Sequence, residues 1–194
     1  MNPPQLVLAS TSPYRRTLLQ RLGLPFEVIA PNVDETPLPD EIAECTALRL
    51  AEAKARAAAP FAQGKLIVGS DQVATINGDN LGKPGDHASA VRQLQRVRGR
   101  RVVFHTALCL YNPAAERTQR ANVPTTVTFR DLSNTQIERY LTLERPYDCA
   151  GSARIEGLGV ALVERVLSDD PTALIGLPLI QLVTMLGNEG IEVV

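Results

Sequence analysis

Cysteine and histidine are scarce in this chain, three of one and two of the other among 194 residues. Cys45, Cys109 and Cys149 are odd in number, far apart and form no C-x-x-C pair. That excludes a disulfide framework and a structural zinc site, and fits reduced thiols in a cytoplasmic compartment. His87 and His105 are too few for a histidine-rich metal site, and both read as structural. No apolar run reaches membrane-spanning length, and no basic segment followed by an apolar one marks a secretory signal. A net charge of −1 excludes a broad basic field for nucleic acid, so any anionic substrate has to be met by locally clustered cations. The patterns G-x-x-x-x-G-K-[ST], G-x-G-x-x-G and G-x-S-x-G are missing, which removes P-loop, dinucleotide-binding and α/β-hydrolase chemistry.

What is present is an ordinary globular composition, 44% hydrophobic and 21% charged. Strand and helix signals alternate, predicting a single α/β domain over residues 1–194 with two lobes around a cleft. Gln5–Ala9 is a short unbroken apolar run, the mark of a buried strand. Ser12 as N-cap, Pro13 at the first helical position and Gly23 as stop frame the next helix. Phe26–Ala30 predicts a second strand and Pro31–Pro39 a loop. Asp40 is placed to cap a helix running to about Ala59. Leu66–Gly69 predicts a strand that delivers Ser70, Asp71 and Gln72 at its end. Further along come a turn at Asn77–Asn80, a helix from Asp86 to Gly99, and strands Val102–Tyr111 and Val123–Phe129 joined by a polar connection. Ser133 with Gln136 forms a capping box, stapled by Leu132 and Ile137. Cys149–Gly159 is a glycine-dotted loop, Val160–Val166 a strand, and Pro178–Leu186 a closing helix stopped by Gly187.

Chemistry concentrates at a few points. Arg15 and Arg16 occupy a first helical turn, where the macrodipole disfavours cations by up to about 1 kcal/mol each. With Ser10, Thr11, Ser12 and the free N–H groups around them they make a phosphate cradle, or else they are solvated surface residues. Lys54 interrupts the helical stripe Ala47, Leu50, Ala51 and Ala58, as a site cation or as a lysine snorkelling to water. Asp71 follows a buried strand, in the position of a metal ligand or base, or of a turn cap. Glu35 and Lys83 are a loop carboxylate and a loop cation.

Taken in order, Leu8-Ala-Ser-Thr-Ser-Pro-Tyr-Arg-Arg16, Val33-Asp-Glu35, Lys54, Gly69-Ser-Asp-Gln72, Gly82-Lys-Pro84, Asp148–Gly157 and Gly176-Leu-Pro178 resemble the Maf-like nucleoside triphosphate pyrophosphatases over essentially the whole chain. The resemblance implies an elongated mixed sheet flanked by helices (Maf/ITPase-like), two lobes around a central cleft, a homodimer and a divalent metal, Mg²⁺ or Mn²⁺, on Glu35 and Asp71. It assigns the proton acceptor to Asp71 and matches Arg15, Glu35, Lys54 and Lys83 to other functional positions. Relatives acting on dTTP and UTP carry a basic residue, Thr and Gln where this chain has Tyr14, Gln72 and Glu156. In those three it is similar to the subgroup acting on 7-methyl-GTP, which removes modified nucleotides before they enter nucleic acid. Cys149 stands where many relatives have lysine; that subgroup tolerates cysteine. A methylated guanine is cationic, so a Tyr14 face and a Glu156 carboxylate suit it. The alternatives are a dTTP/UTP pyrophosphatase and a non-catalytic nucleotide-binding regulator of cell division.

Overall fold

Leu6–Ala9 is buried along its whole length and forms β1, as its unbroken apolar run requires. The structure is a computed structural model that describes residues 6–194; Gln5, the expected first residue of this strand, lies outside the described residues. β1 pairs in parallel with β2 (Phe26–Ile29) on one side and β3 (Leu66–Ile76) on the other. Beyond β3 the sheet turns antiparallel through β5 (Arg101–Asn112), β6 (Arg117–Phe129) and β7 (Val163–Ser168), while β4 (Asp79–Leu81) hairpins back onto β3. The result is a mixed seven-stranded open sheet among the described residues, in the order β2-β1-β3-β5-β6-β7, with helices against it.

The helices are α1 (Pro13–Gln20), α2 (Ala43–Ala58), α3 (His87–Val97), α4 (Asn134–Glu144) and α5 (Leu179–Asn188). The Ser12 hydroxyl caps α1 by accepting from Arg15 N at 3.4 Å, and Asp86 caps α3 by accepting from Ser89 N at 2.8 Å. Both halves of the capping box on α4 form, Gln136 N to Ser133 Oγ at 3.2 Å and Ser133 N to Gln136 Oε1 at 2.8 Å. Leu132 and Ile137 are buried in one cluster, as a hydrophobic staple requires.

Two lobes result. In the first, α1 and α5 cover one face of β1, β3 and β5 through Leu6, Leu8, Val68 and Leu108, while α2 covers the other through Val7, Ile67 and Ala107. In the second, α3 and α4 pack on the far ends of β3, β5 and β6 around Phe104, Phe129 and Leu141.

The face that α2 turns to the sheet is made of alanines, Ala47, Ala51, Ala55 and Ala58, so helix and sheet approach closely. Gly69 completes that approach: a Cβ there would collide with the Ala51 carbonyl oxygen and stand 2.9 Å from Ala55 N. Gly69→Ala is expected to lower stability by about 2–3 kcal/mol, read as a fall in denaturant midpoint at unchanged slope. It also lifts Lys54 off β3, so activity falls with stability.

Several boundaries differ from expectation. Asp40 does not cap α2: its φ of +57° puts it in a left-handed turn, and Ile42 holds the cap position without a side-chain bond. Neighbouring Glu41 instead accepts from the Thr46 hydroxyl, at 2.9 Å, and from Leu38 N. β3 does not stop at Gly69, because β5 supplies a ladder that pairs Ser70–Thr75 with Leu108–Val103. β6 starts at Arg117, since the tight turn Pro113–Glu116 brings it straight back along β5. β7 starts at Val163, a 3-10 turn over Leu158–Leu162 having absorbed Val160. Gly187 is inside α5, and Gly190, at φ +76°, takes the reversal after it.

Candidate active site

β1 ends at Ala9, opposite Gly69, while β3 runs on. Ser70 and Asp71 therefore lie just past the carboxyl end of β1, beside the Ser10–Ser12 turn that opens α1. Strand alternation sends Gly69 and Asp71 toward α2, and Ser70 and Gln72 to the opposite face. Close packing of α2 then sets Lys54 over Asp71. Lys54 Nζ lies 2.6 Å from Asp71 Oδ1 and 2.7 Å from Glu35 Oε1. Lys54 and Asp71 are each only 6% exposed. The lysine is thus buried and paired, not snorkelling, and Asp71 sits mid-strand, not at a turn cap.

Glu35 comes from the proline-rich segment between β2 and α2. An Asx turn, Thr36 N donating to Asp34 Oδ1 at 2.9 Å, shapes this segment, and Arg49 ties it to α2 through the Thr36 carbonyl at 3.1 Å. Burial works against the Glu35 carboxylate, but the hydrogen bond and charge of Lys54, with Lys83 and Arg15 behind it, outweigh burial and hold its pKa below the usual value.

Arg15 donates through Nε to the Gly176 carbonyl at 2.8 Å and reaches Ser10 Oγ at 3.5 Å. Burial pulls its guanidinium pKa down, opposed by Asp71 and Glu35. The Ser70 hydroxyl lies 2.8 Å from the Ala107 and Gly176 carbonyls. Gly176, at φ +120°, owes its place to a buried network. Asp170 accepts from Thr172 N at 2.9 Å and Ile180 N at 2.7 Å, and Thr172 Oγ1 accepts from Leu179 N at 2.8 Å. Gln72 donates to the Thr106 hydroxyl at 2.9 Å and to the Ala173 and Leu174 carbonyls at 3.1 Å, so it tethers this same turn to β3.

Arg15, Glu35, Lys54, Asp71, Gln72 and Gly176 line a cleft of about 530 Å³ between the lobes, together with Ser10, Ser12 and Lys83. A second group on its wall is Tyr14, Asp148, Cys149 and Glu156. Burial, then Cys149 and Asp148, push the Tyr14 hydroxyl up to about 12. Burial, then Asp148 and Glu156, push the Cys149 thiol to about 12, so it is no thiolate nucleophile. Burial also raises Glu156, reinforced by Glu144 and Asp148 against Arg154. Arg16, exposed, stays outside the cleft, and the expectation that it joins the phosphate cradle is not met by its position. Thr172 and Asp170 escaped the sequence reading, and Ser70 was named there only within its motif, without a role. A D-x-T turn just before a Gly-Leu-Pro helix entry was the available signal.

The cleft holds three cations, Arg15, Lys54 and Lys83, around two carboxylates, with an aromatic and acidic wall nearby. Cations of this kind bind polyphosphate, and the carboxylates accept a proton or a hard metal ion. A family model described as Maf-like protein matches residues 5–189. The chain belongs to the Maf family. Similar relatives include a 7-methyl-GTP pyrophosphatase of Ralstonia nicotianae, 59% identical over 97% of this chain and 96% of that one. One of the same name from Methylobacillus flagellatus is 58% identical over 98% and 100%. A third, from Thiobacillus denitrificans, is 59% identical over 98% and 94%. Arg15, Glu35, Lys54, Asp71 and Lys83, matched above to this family on sequence, meet in the one cleft.

Proposed function

We propose that this protein hydrolyses 7-methyl-GTP to 7-methyl-GMP and pyrophosphate. The observation that carries the reading is the cluster of buried Lys54 and Asp71 with Glu35, sharing one cleft with Tyr14 and Glu156. The names and high identity of the relatives support it.

The triphosphate lies against Arg15, Lys54, Lys83 and the amino end of α1, which offset its charge. Asp71 takes a proton from the water that attacks the α-phosphorus. The new bond joins water oxygen to phosphorus; the bond to the bridging oxygen breaks, and the electron pair leaves on pyrophosphate. Among the described residues no group of three or more His, Cys, Asp or Glu side chains is arranged to hold a metal. Glu35 and Asp71 still fit Mg²⁺ or Mn²⁺, which bind through one or two carboxylates and complete their shell with phosphate oxygens and water. Bound there, the ion would supply further charge neutralisation on the phosphates.

The reading extends to a cytoplasmic homodimer. It is supported as to compartment by the three free cysteines, and no helix among the described residues is long and apolar enough to cross a membrane. Pyrophosphate release from 7-methyl-GTP, GTP, dTTP and UTP tests the substrate, with faster turnover of dTTP or UTP overturning it. In Glu156→Gln the preference for 7-methyl-GTP over GTP is expected to shrink about fivefold, since a partly exposed charge pair contributes about 1 kcal/mol. An unchanged ratio of kcat/KM values would take Glu156 out of base recognition.

A further inference from the structure

Tyr14 and Glu156 come from different lobes. Tyr14 opens α1, whose Leu18 and Leu19 belong to the first core, while Glu156 follows Ala153 and Ile155, which pack on the second. One side chain touches both. The Arg154 guanidinium carbon sits 5.3 Å from the Tyr14 ring centroid, and Arg154 Nε is 3.9 Å from Glu156 Oε1. Tyr14 and Glu156 line the cleft, whereas Arg154 does not. The guanidinium thus holds the ring without itself lining the cleft.

Arg154 is itself held from α4. Its Nη1 lies 3.0 Å from Glu144 Oε1, and its backbone N–H donates to the Tyr140 hydroxyl at 3.0 Å. Glu144 Oε2 also accepts from Leu158 N at 2.8 Å. A Cβ on Gly157 would stand 2.5 Å from Glu144 Oε1, so the turn is folded around that carboxylate. The Glu156 loop is thus anchored at both ends on α4. The one buried polar atom this scheme leaves without a hydrogen bond is Arg154 Nε, which faces Glu156 at ion-pair distance only. Glu144 and Glu156 flank the single guanidinium and Asp148 acts on Glu156, so three carboxylates to one guanidinium keep a negative balance at this end toward a cationic ring.

We propose, resting on the base assignment above, that Arg154 is a positioning residue for base recognition: it latches the Glu156 loop of one lobe to Tyr14 of the other and fixes the gap into which the base slides. A cation on one face of an aromatic ring restrains it with the other face free. Fixing both walls beforehand removes ordering cost from binding.

Calorimetric titration with 7-methyl-GMP and GMP, which have no anhydride to hydrolyse, reads the base end alone. In the wild type 7-methyl-GMP binds more tightly than GMP. Arg154→Met keeps the aliphatic stem and is expected to narrow that advantage about fivefold. Arg154→Lys recovers most of it, and Arg154→Gln gives the same readout if the methionine variant does not fold. Because Arg154 acts through the ring, Tyr14→Leu combined with Arg154→Met loses no more than Tyr14→Leu alone. In pyrophosphate release the loss falls on KM, not kcat. A wild-type-like preference in the folded methionine or glutamine variant, or additive losses in the double variant, overturns the latch while leaving the substrate intact. No preference for 7-methyl-GMP in the wild type overturns the base assignment and the latch together.

Discussion

Asp71→Asn is expected to slow pyrophosphate release by about 10³-fold while the nucleotide still binds. The substitution keeps the shape of the side chain, and its amide oxygen still accepts from Lys54, which stands 2.6 Å from Asp71 Oδ1. Lys54 retains Glu35 at 2.7 Å as its counter-ion, so the variant should melt close to the wild type. What disappears is the negative charge facing the phosphates, and with it the proton acceptor. Losing that charge removes a repulsion toward the triphosphate, so affinity holds or rises. Turnover within tenfold of wild type would move the base to another residue, Glu35 first. A Mn²⁺ titration of the variant separates two roles. Partial recovery at high metal marks Asp71 as a ligand, and no recovery marks it as the acceptor for water's proton.

Much of the site was legible because its residues violate local expectations. Cations in the first turn of α1 and a lysine in the alanine stripe of α2 are choices that folding alone disfavours, and Arg15 and Lys54 both line the cleft. Arg16 shows the limit of the same argument: the dipole penalty is shared by both arginines, but helix rotation sends only one of them into the cleft. Asp71 was found for the right strand and the wrong reason. The apolar run ends at Gly69, yet pairing with β5 carries the strand on to Thr75, and that pairing is between residues roughly thirty to forty apart in sequence. Asp40 looked like a cap by composition, and only its backbone conformation shows otherwise. The least legible part was the turn from Asp170 to Gly176. Its function is to hold carbonyls toward Arg15, Ser70 and Gln72, and backbone acceptors leave no mark in side-chain patterns. Gln72, noted as a specificity residue, spends its amide on that turn, so any influence on the base passes through the turn's position.

Lys54→Met should damage both activity and stability, because one buried ammonium balances two carboxylates that have different surroundings. Methionine nearly matches lysine in length and volume, so the packing of α2 on β3 survives and the loss is electrostatic. Asp71, with only 9% of its side chain exposed, is left without its counter-ion, and stranding one partner of a buried pair costs about 3–5 kcal/mol. Glu35, with 53% of its side chain exposed, relaxes toward water, so little of the cost arises there. Turnover should fall about 10²–10³-fold, as on removal of a preorganised charge from a reacting centre. Acid titration gives an independent readout. Lys54 helps hold the Glu35 pKa below its unperturbed value of 4.5, so that pairing stabilises the fold above pH 4.5 and is lost as the pH falls through the lowered folded-state value. Wild-type melting temperature should therefore carry a Glu35 contribution to its decline on acidification below pH 4.5, and the methionine variant should lack that part. A variant that melts like the wild type at pH 7 would mean that Arg15, whose charge also acts on both carboxylates, balances Asp71 without the lysine.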